Sequence, residues 1–293
     1  MISTHDKTEI LIAALPYIQR YEGKTFVIKY GGAAMVDDTL KASFARDVTL
    51  LKSIGIRIVI VHGGGKEITA IAEKLGVPTR FVNGQRYTDA AMMEIAQMVL
   101  AGKTNKDIVA CINCSGGQAV GLCGIDAGLL TVRKLQDDGV DLGNVGTVTN
   151  VNHTFINLLL NNNIMPVIAP IGVDDSGEKY NINADVAAAG IAGAIRAEKL
   201  VYLSDVDGIH ANGELIHSIG LEEAHDLIGD GTINNGMIPK TRSAFNALKA
   251  GVKKVHMIDG RVPHALLLEI FTNEGIGTEL ISAPQFSMEG TPS

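Results

Sequence analysis

The chain has 293 residues, of which 46% are hydrophobic and 33 are glycine, and it carries a formal net charge of −7. This length suffices for one large α/β domain with a sizeable core, and the many glycines suit short turns between strands and helices. Because the balance is acidic and the basic residues are scattered, nucleic acids and anionic membranes are not evident partners.

The first predicted element is an amphipathic helix over residues 8–21, which precedes the first strand. No element precedes it for its apolar face to pack against, and this face could fold back on the chain's own core. Residues 1–7 are polar, and the short apolar run behind them ends at Pro16, a pattern unlike a secretory signal. Since no stretch is long enough to span a bilayer, we expect a cytoplasmic protein.

Two glycine turns follow successive strand-like runs. Lys29-Tyr30-Gly31-Gly32 ends a strand predicted at 24–29, and His62-Gly63-Gly64-Gly65 follows a strand predicted at 56–61. Predicted helices come directly after both turns, so backbone N–H groups and a helix N-terminus would face an anion at each turn. A single Gly-Gly pair can be merely a tight turn. Two in succession favour a parallel sheet with a site for two anionic groups.

Three other kinds of site find little support in the sequence. Ala101-Gly102-Lys103-Thr104 resembles the end of a P-loop, but Gln97 stands where that motif needs glycine. A Rossmann dehydrogenase is disfavoured because no strand is followed by G-x-G-x-x-G. The three cysteines, an odd number, include the pair Cys111 and Cys114 without a visible fourth metal ligand, so we interpret them as free thiols.

The rest of the chain continues the alternation of strands and helices. Residues 78–89 predict a β-hairpin around Asn83-Gly84, followed by a long helix over 90–111. Hairpin-like pieces between 119 and 151 predict an irregular lid or rim. The later predicted strands are 165–171, 199–204, 253–258 and 277–281, and the later predicted helices are 153–160, 184–195, 221–228, 240–250 and 264–271.

Polar residues cluster where strands and helices meet in the second half. Asn181 and Asp185 lie around a predicted helix start, where Asn183 or Asp185 could equally serve as a cap. Asp205 follows a strand at the edge where open α/β sheets bind ligands. Lys240 lies in the first turn of a helix, where its charge opposes the helix dipole, so an anion is expected beside it.

The chain resembles the amino acid kinase family, and within it the kinases that act on N-acetyl-L-glutamate. Nearly the whole chain takes part, and the matching segments are IKYGG, VHGGGKE, FVNGQRYTD, NINAD, YLSDVDGI, GMIPK and HMIDGRVPHALLLEIFTNEGIGT. The resemblance implies a three-layer α/β/α sandwich around a mostly parallel open sheet. It implies transfer of the γ-phosphoryl group of ATP, with Mg²⁺, to the γ-carboxylate of N-acetyl-L-glutamate in arginine biosynthesis.

The resemblance also assigns roles to residues. It implies that Lys29 and Lys240 neutralise the transferred phosphoryl group and that Asp185 orients both lysines. The remaining implied contacts are Gly31, Gly32 and Asp205 for the nucleotide, and Gly64, Gly65, Arg86 and Asn181 for the acceptor. A single domain over 1–293 is expected, with an N-lobe (23–175) for the acyl amino acid and a C-lobe (176–283) for ATP. Residues 284–293 are expected to form a flexible tail.

The family resemblance also implies how the protein is assembled and regulated. Family members with a helix like 1–22 interlace it to join three dimers into a hexamer inhibited by arginine, and Glu274 and Gly277 lie in a segment resembling the arginine-binding loop. Asn235 departs from the glycine that is usual before Gly236. A longer acceptor such as N-acetyl-aminoadipate, or a non-catalytic amino acid sensor, remains an alternative, and the sequence does not decide whether a PII signalling protein binds.

Overall fold

A computed structural model describes residues 3–136, 139–233, 236–272 and 275–282 of the chain. The strands are β1 (Thr25–Tyr30), β2 (Arg57–His62), β3 (Phe81–Val82), β4 (Gln85–Arg86), β5 (Ala119–Cys123), β6 (Leu130–Lys134), β7 (Val145–Val151), β8 (Met165–Ala169), β9 (Ile171–Val173), β10 (Lys179–Ile182), β11 (Lys199–Ser204), β12 (His210–Ala211), β13 (Glu214–Leu215), β14 (Ser218–Gly220), β15 (Lys254–Asp259) and β16 (Thr278–Ile281). The helices are α1 (Thr4–Tyr21), α2 (Asp38–Ser53), α3 (Gly65–Lys74), α4 (Ala90–Gln97), α5 (Asn105–Cys114), α6 (His153–Asn161), α7 (Ala184–Ala194), α8 (Leu221–Gly229), α9 (Met237–Lys249) and α10 (Ala265–Phe271). A π-helical segment, Met98–Thr104, joins α4 to α5.

A mostly parallel central sheet organises the molecule. Within the described residues, its eight strands follow the order β14-β16-β15-β11-β1-β2-β8-β5, and only the β15–β16 pair is antiparallel. The central strands β1 and β2 run side by side with Tyr30 opposite His62. Because both strands end at the same edge, the two glycine turns are neighbours, and Gly63 N–H donates to the Tyr30 carbonyl at 2.8 Å.

The core lies on both faces of this sheet. Side chains alternate along a strand, so Val27 of β1 belongs to one apolar cluster while Phe26 and Ile28 belong to another. The first cluster includes buried residues of α6, α7, α8 and α9, and the second includes buried residues of α2, α5 and α10. The three-layer α/β/α sandwich expected from the sequence is confirmed.

Residues 119–151, expected as a lid or rim, divide between two sheets. β5 pairs in parallel with β8 and forms an edge of the central sheet, so the expectation was wrong for this segment. β6 and β7 form a small closed barrel with β9 and β10. The strand predicted at 165–171 is interrupted at Pro170, which has no N–H to donate to a ladder.

The last turns of helix α1 pack on the domain. The Tyr17 ring contacts Phe271 edge to face with centroids 6.0 Å apart, and Tyr21 contacts Phe26 in the same manner at 5.2 Å. Earlier turns leave large apolar side chains between 47% and 70% exposed: Ile10, Leu11, Ile12 and Leu15. None of the described helices combines the length and apolar character needed to cross a membrane.

Candidate active site

Three charged side chains meet at the carboxyl edge of the sheet. Lys29 lies near the end of β1, Asp185 lies in the first turn of α7, and Lys240 lies in the first turn of α9. The Lys29 ammonium forms an ion pair with Asp185 Oδ1 at 2.9 Å, and Lys240 Nζ donates to Oδ2 at 3.0 Å. All three side chains are largely buried. One carboxylate therefore holds two ammonium groups next to the first glycine turn.

The surroundings of Asp185 fix both its charge and its position. Burial by itself raises the pKa of Asp185, but the charges of Lys29 and Lys240 outweigh burial and hold the pKa at about 2. The Asn183 side chain caps α7 by accepting from the Asp185 backbone N–H at 2.8 Å. Ser243 Oγ donates to the Asp185 carbonyl at 3.0 Å. Asn183 is therefore the cap, and the Asp185 carboxylate is free to pair with the lysines.

The residues expected to contact the nucleotide lie beside this cluster. A Cβ on Gly31 would lie 2.7 Å from Lys29 Nζ, so the ammonium rests against the first glycine turn. Gly32 has a φ of +71°, a left-handed conformation that favours glycine. A Cβ on Gly32 would lie 3.3 Å from the backbone nitrogen of Asp205, which follows β11. The structure thus brings Gly31, Gly32 and Asp205 together.

A pocket of about 180 Å³ opens beside the second glycine turn. Its lining includes the four residues expected to bind the acceptor: Gly64, Gly65, Arg86 and Asn181. Apolar side chains, among them Ile68, Phe81 and Leu100, also line it. Such a lining suits a compact anion with a short apolar substituent. The few charged and polar groups of the pocket would meet the anion, and the apolar side chains would meet the substituent.

The two terminal nitrogens of the Arg86 guanidinium differ, because Nη2 is hydrogen-bonded and Nη1 is not. Its Nη2 donates to the Gly65 carbonyl at 2.7 Å and to Thr69 Oγ1 at 2.9 Å. Its Nη1 is buried and has no hydrogen-bond partner. Burial lowers the pKa of Arg86, although a guanidinium remains charged at neutral pH. A buried donor without a partner is costly, so the unpaired Nη1 is the exception among the polar contacts described for this side chain.

Sequence reasoning missed two threonines that hold this pocket. Thr69 lies one helical turn beyond Gly65 and anchors Arg86. Thr88 Oγ1 donates to the Arg86 carbonyl at 3.0 Å and accepts from Asn181 Nδ2 at 3.3 Å. Thr88 belongs to the segment FVNGQRYTD, which carried the family resemblance, whereas Thr69 has no signal beyond its helical spacing from Gly65.

A second cavity, of about 580 Å³, lies between α1, α10 and the β14–β16 edge of the sheet. Tyr17, Lys199, His256 and Glu279 are among its lining residues. Burial lowers the pKa of Lys199 to about 8. Gly277, expected to contact arginine, lies against the Met257 carbonyl rather than among the residues found to line the cavity.

Several expectations fall outside the described residues: Glu274, Asn235 and the tail 284–293. Among the residues that the structure describes, no three His, Cys, Asp or Glu side chains converge as a metal-binding group. The roles expected for the site residues stay predictions at this point.

Sequence comparison identifies related proteins. A model of the "Amino acid kinase family" matches residues 24–259. "Acetylglutamate kinase" of Pelodictyon phaeoclathratiforme is 56% identical over 274 residues, covering 93% of this chain and 90% of the relative. "Acetylglutamate kinase" of Aquifex aeolicus is 52% identical over 290 residues, covering 94% of this chain and 97% of the relative.

Structure comparison identifies N-acetylglutamate synthase from Neisseria gonorrhoeae. Its complex with coenzyme A and N-acetyl-glutamate has a TM-score of 0.85 and 29% sequence identity. Its complex with coenzyme A and L-arginine has a TM-score of 0.81 and 27% identity. The matches cover 94% of this chain but only 64% and 65% of the synthase chains, so this chain corresponds to about two thirds of that protein.

Proposed function

The chain belongs to the amino acid kinase family, and on that premise we propose that it phosphorylates the γ-carboxylate of N-acetyl-L-glutamate with ATP, a step of arginine biosynthesis. The observation that carries this function is the double ion pair of Asp185 with Lys29 and Lys240. It lies next to a pocket lined by Arg86, whose Nη1 has no hydrogen-bond partner. Relatives named acetylglutamate kinase match the chain over nearly their full length.

The chemistry requires two anions to approach each other. An oxygen of the acceptor carboxylate attacks the γ-phosphorus of ATP, the bond to the β,γ-bridging oxygen breaks, and ADP leaves with that electron pair. The acceptor is already ionised at neutral pH, so no general base is needed. The two ammonium groups held by Asp185 neutralise charge on the phosphoryl oxygens, and catalysis consists mainly of positioning and charge neutralisation.

The acceptor fits the pocket with its two carboxylates apart. We assign the α-carboxylate to the open Nη1 of Arg86, with Asn181 nearby, and the γ-carboxylate to the N–H groups of Gly64 and Gly65. Asn181 belongs to the 176–283 segment, so the acceptor pocket draws on both proposed lobes, although the N-lobe (23–175) supplies most of its polar groups.

The nucleotide lies on the other side of the lysines in this proposal. Gly31 and Gly32 donate to the β- and γ-phosphates, and Asp205 lies near the nucleotide. Mg²⁺ enters with ATP, bound mainly by phosphate oxygens and water, and we name no protein ligand for it. A cytoplasmic location agrees with the use of ATP and stays a prediction.

ADP release from Mg-ATP tests the activity directly. N-acetyl-L-glutamate, L-glutamate and N-acetyl-L-aminoadipate are compared as acceptors with the same enzyme preparation. Turnover confined to the first acceptor supports the proposal. Faster turnover of the aminoadipate compound would favour the alternative kinase, and no turnover with any acceptor would favour the sensor.

Arginine regulation is a second proposal. The 580 Å³ cavity borders α1, and its lining includes Glu279, which pairs with Lys254 at 2.7 Å, and Lys199, whose Nζ lies 3.0 Å from His256 Nε2. The guanidinium and carboxylate of free arginine would exchange for these two contacts. The synthase from Neisseria gonorrhoeae was solved with L-arginine. We propose that arginine binds this cavity and inhibits a hexamer of three dimers. Full activity of the chain at millimolar arginine would contradict inhibition, and Glu279→Gln tests the cavity, since it should weaken inhibition without lowering basal turnover.

A further inference from the structure

His62 is a buried histidine next to the acceptor pocket that the proposed reaction does not use. It is the last residue of β2, has no exposed surface, and directly precedes Gly63. Gly64 and Gly65 line the acceptor pocket, whereas His62 lies behind the turn. An effect of the imidazole on a ligand is therefore transmitted through the glycine turn and not through direct contact.

The hydrogen bonds of His62 define one tautomer. Nδ1 lies 2.7 Å from the Gly63 carbonyl, and a carbonyl can only accept, so Nδ1 carries the hydrogen. Nε2 lies 3.1 Å from Asn105 Nδ2, which can only donate. The amide orientation of Asn105 is itself fixed, because Nδ2 also donates to the Val167 carbonyl at 2.9 Å and Oδ1 accepts from Lys106 Nζ at 3.1 Å. Burial lowers the pKa of His62 to about 4, so the ring is neutral at neutral pH.

Because the His62 ring is fixed, it also fixes the orientation of the Gly63–Gly64 peptide plane in the second glycine turn. The Gly63 N–H is held by the Tyr30 carbonyl at 2.8 Å, and the Gly63 carbonyl is held by His62. In a trans peptide the C=O and the following N–H point in opposite directions. With the Gly63 carbonyl turned back toward the imidazole, the Gly64 N–H points away from the imidazole, and Gly64 itself lines the pocket.

The π-helical segment Met98–Thr104 packs against the same turn. Asn105 follows this segment directly, and Leu100 packs so closely that a Cβ on Gly64 would lie 2.5 Å from Leu100 Cδ2. A π turn changes which residues face the sheet, and such turns are frequent at functional sites. Gly64 is thus held by His62 through Gly63 and by direct contact with Leu100.

We propose that His62 is a positioning residue for the acceptor: its Nδ1–H orients the Gly63–Gly64 peptide so that the Gly64 N–H meets the γ-carboxylate, and Asn105 selects the required tautomer. This inference rests on the proposed function. It predicts an effect on the acceptor and not on ATP, because the nucleotide is assigned to the other glycine turn.

Two substitutions separate the two nitrogens of the ring. In His62→Asn the side-chain amide nitrogen lies near the former Nδ1 and can still donate to Gly63, whereas in His62→Gln the terminal amide lies near the former Nε2 and can bond only Asn105. We expect His62→Gln to raise the KM for N-acetyl-L-glutamate about tenfold or more, the effect of weakening one hydrogen bond to a carboxylate. The KM for ATP should change less than about twofold. His62→Asn should raise the KM for N-acetyl-L-glutamate much less than His62→Gln does. His153→Asn, at an exposed histidine that begins α6, is the matched control.

Two further measurements keep the test decisive. Calorimetric titration with N-acetyl-L-glutamate reports acceptor binding without turnover, and NMR of the histidine ring nitrogens reports the tautomer in the unsubstituted chain. The signals of His62, identified as those absent in His62→Asn, should show Nδ1–H and an unprotonated Nε2 from about pH 5.5 to 8; His256, whose Nε2 lies 3.0 Å from Lys199 Nζ, is distinguished because its signals remain in that variant. Equal losses in the two variants, parallel rises in both KM values, or an Nε2–H tautomer would overturn the inference. If the unsubstituted chain neither binds nor phosphorylates N-acetyl-L-glutamate, the proposed function fails instead.

Discussion

Lys240 Nζ lies 3.0 Å from Asp185 Oδ2, although each residue belongs to the first turn of a different helix. A carboxylate is favourable at a helix N-terminus and an ammonium is not. The Asp185 charge offsets the unfavourable position of Lys240, while the converging N-termini of α7 and α9 and the ammonium of Lys29 leave an excess of positive potential. That excess is what a transferred phosphoryl group requires.

Replacing either lysine tests this relationship. We expect Lys29→Ala or Lys240→Ala to lower kcat by on the order of 10² to 10⁴, comparable to the loss of one preorganised electrostatic stabiliser. Steady-state kinetics with saturating substrates measures the effect, and Lys249→Ala, at the exposed end of the same helix as Lys240, is the control. A near-normal kcat in either active-site variant would contradict the assignment.

Asp185→Asn removes the negative charge and keeps the shape. The pKa of Asp185 is held at about 2, below its value of about 3.9 in an unfolded chain, so its charge stabilises the fold above pH 3.9 and this contribution is lost as the pH falls through 2. We expect the variant to be less stable by about 2 kcal/mol at neutral pH, with the difference shrinking below about pH 4. Denaturant titrations over this range measure the free energy of unfolding.

The control for that experiment is Asp226→Asn, on the exposed side of α8. It should change the free energy of unfolding by less than about 0.5 kcal/mol at every pH. A deficit in Asp185→Asn that stays constant down to pH 3 would show that lost packing, and not lost charge, explains the effect.

Arg86→Lys keeps the charge and removes the planar fork. Because Arg86 uses Nη2 for Gly65 and Thr69 and leaves Nη1 open, a lysine cannot make both sets of contacts. We expect the KM for N-acetyl-L-glutamate to rise by about 10- to 100-fold with little change in the KM for ATP. Arg80→Lys, an exposed arginine stacked 3.9 Å from the Tyr87 ring, is the control. Equal effects of the two substitutions would argue against a carboxylate at Nη1.

Leu11→Glu tests the assembly. Leu11 is 70% exposed, on the turns of α1 whose large apolar side chains face outward. If this face joins dimers, a charge there should reduce a six-chain particle to a two-chain particle, as measured by light scattering, and should leave basal turnover unchanged. Leu158→Glu, 57% exposed on α6, should not change the mass. A dimer in the unsubstituted chain would remove the basis of the hexamer proposal.

Much of the site could be predicted because it lies at the ends of regular elements. Lys29 and the two glycine turns follow apolar strands whose pattern is plain, and Asp185 and Lys240 are recognisable at helix starts. Their convergence on one carboxylate does not follow from spacing, since it depends on how α7 and α9 approach across the sheet. The expectation that Asp185 orients both lysines came from the family resemblance.

Other features had no local signal. β5 is short, contains Gly121 and is only partly buried, so it did not look like a strand of the central sheet. The π-helical segment lies within a continuous helical pattern, because an i to i+5 turn uses the same residue types as an α-helix. The contact of Asn105 with His62 follows from that turn, and the role of a buried polar pair depends on tertiary placement.

The hairpin of β3 and β4 forms a two-stranded sheet of its own and carries Arg86, whereas both lysines and Asp185 belong to the central sheet and the helices covering it. Within the described residues β3 and β4 pair with each other and not with the central strands, so a changed side chain in the hairpin leaves the register of the central sheet intact. Arg86 therefore reaches the pocket beside the second glycine turn from outside the central sheet, and a change confined to the hairpin alters one wall of that pocket while the ion pairs of Asp185 stay in place.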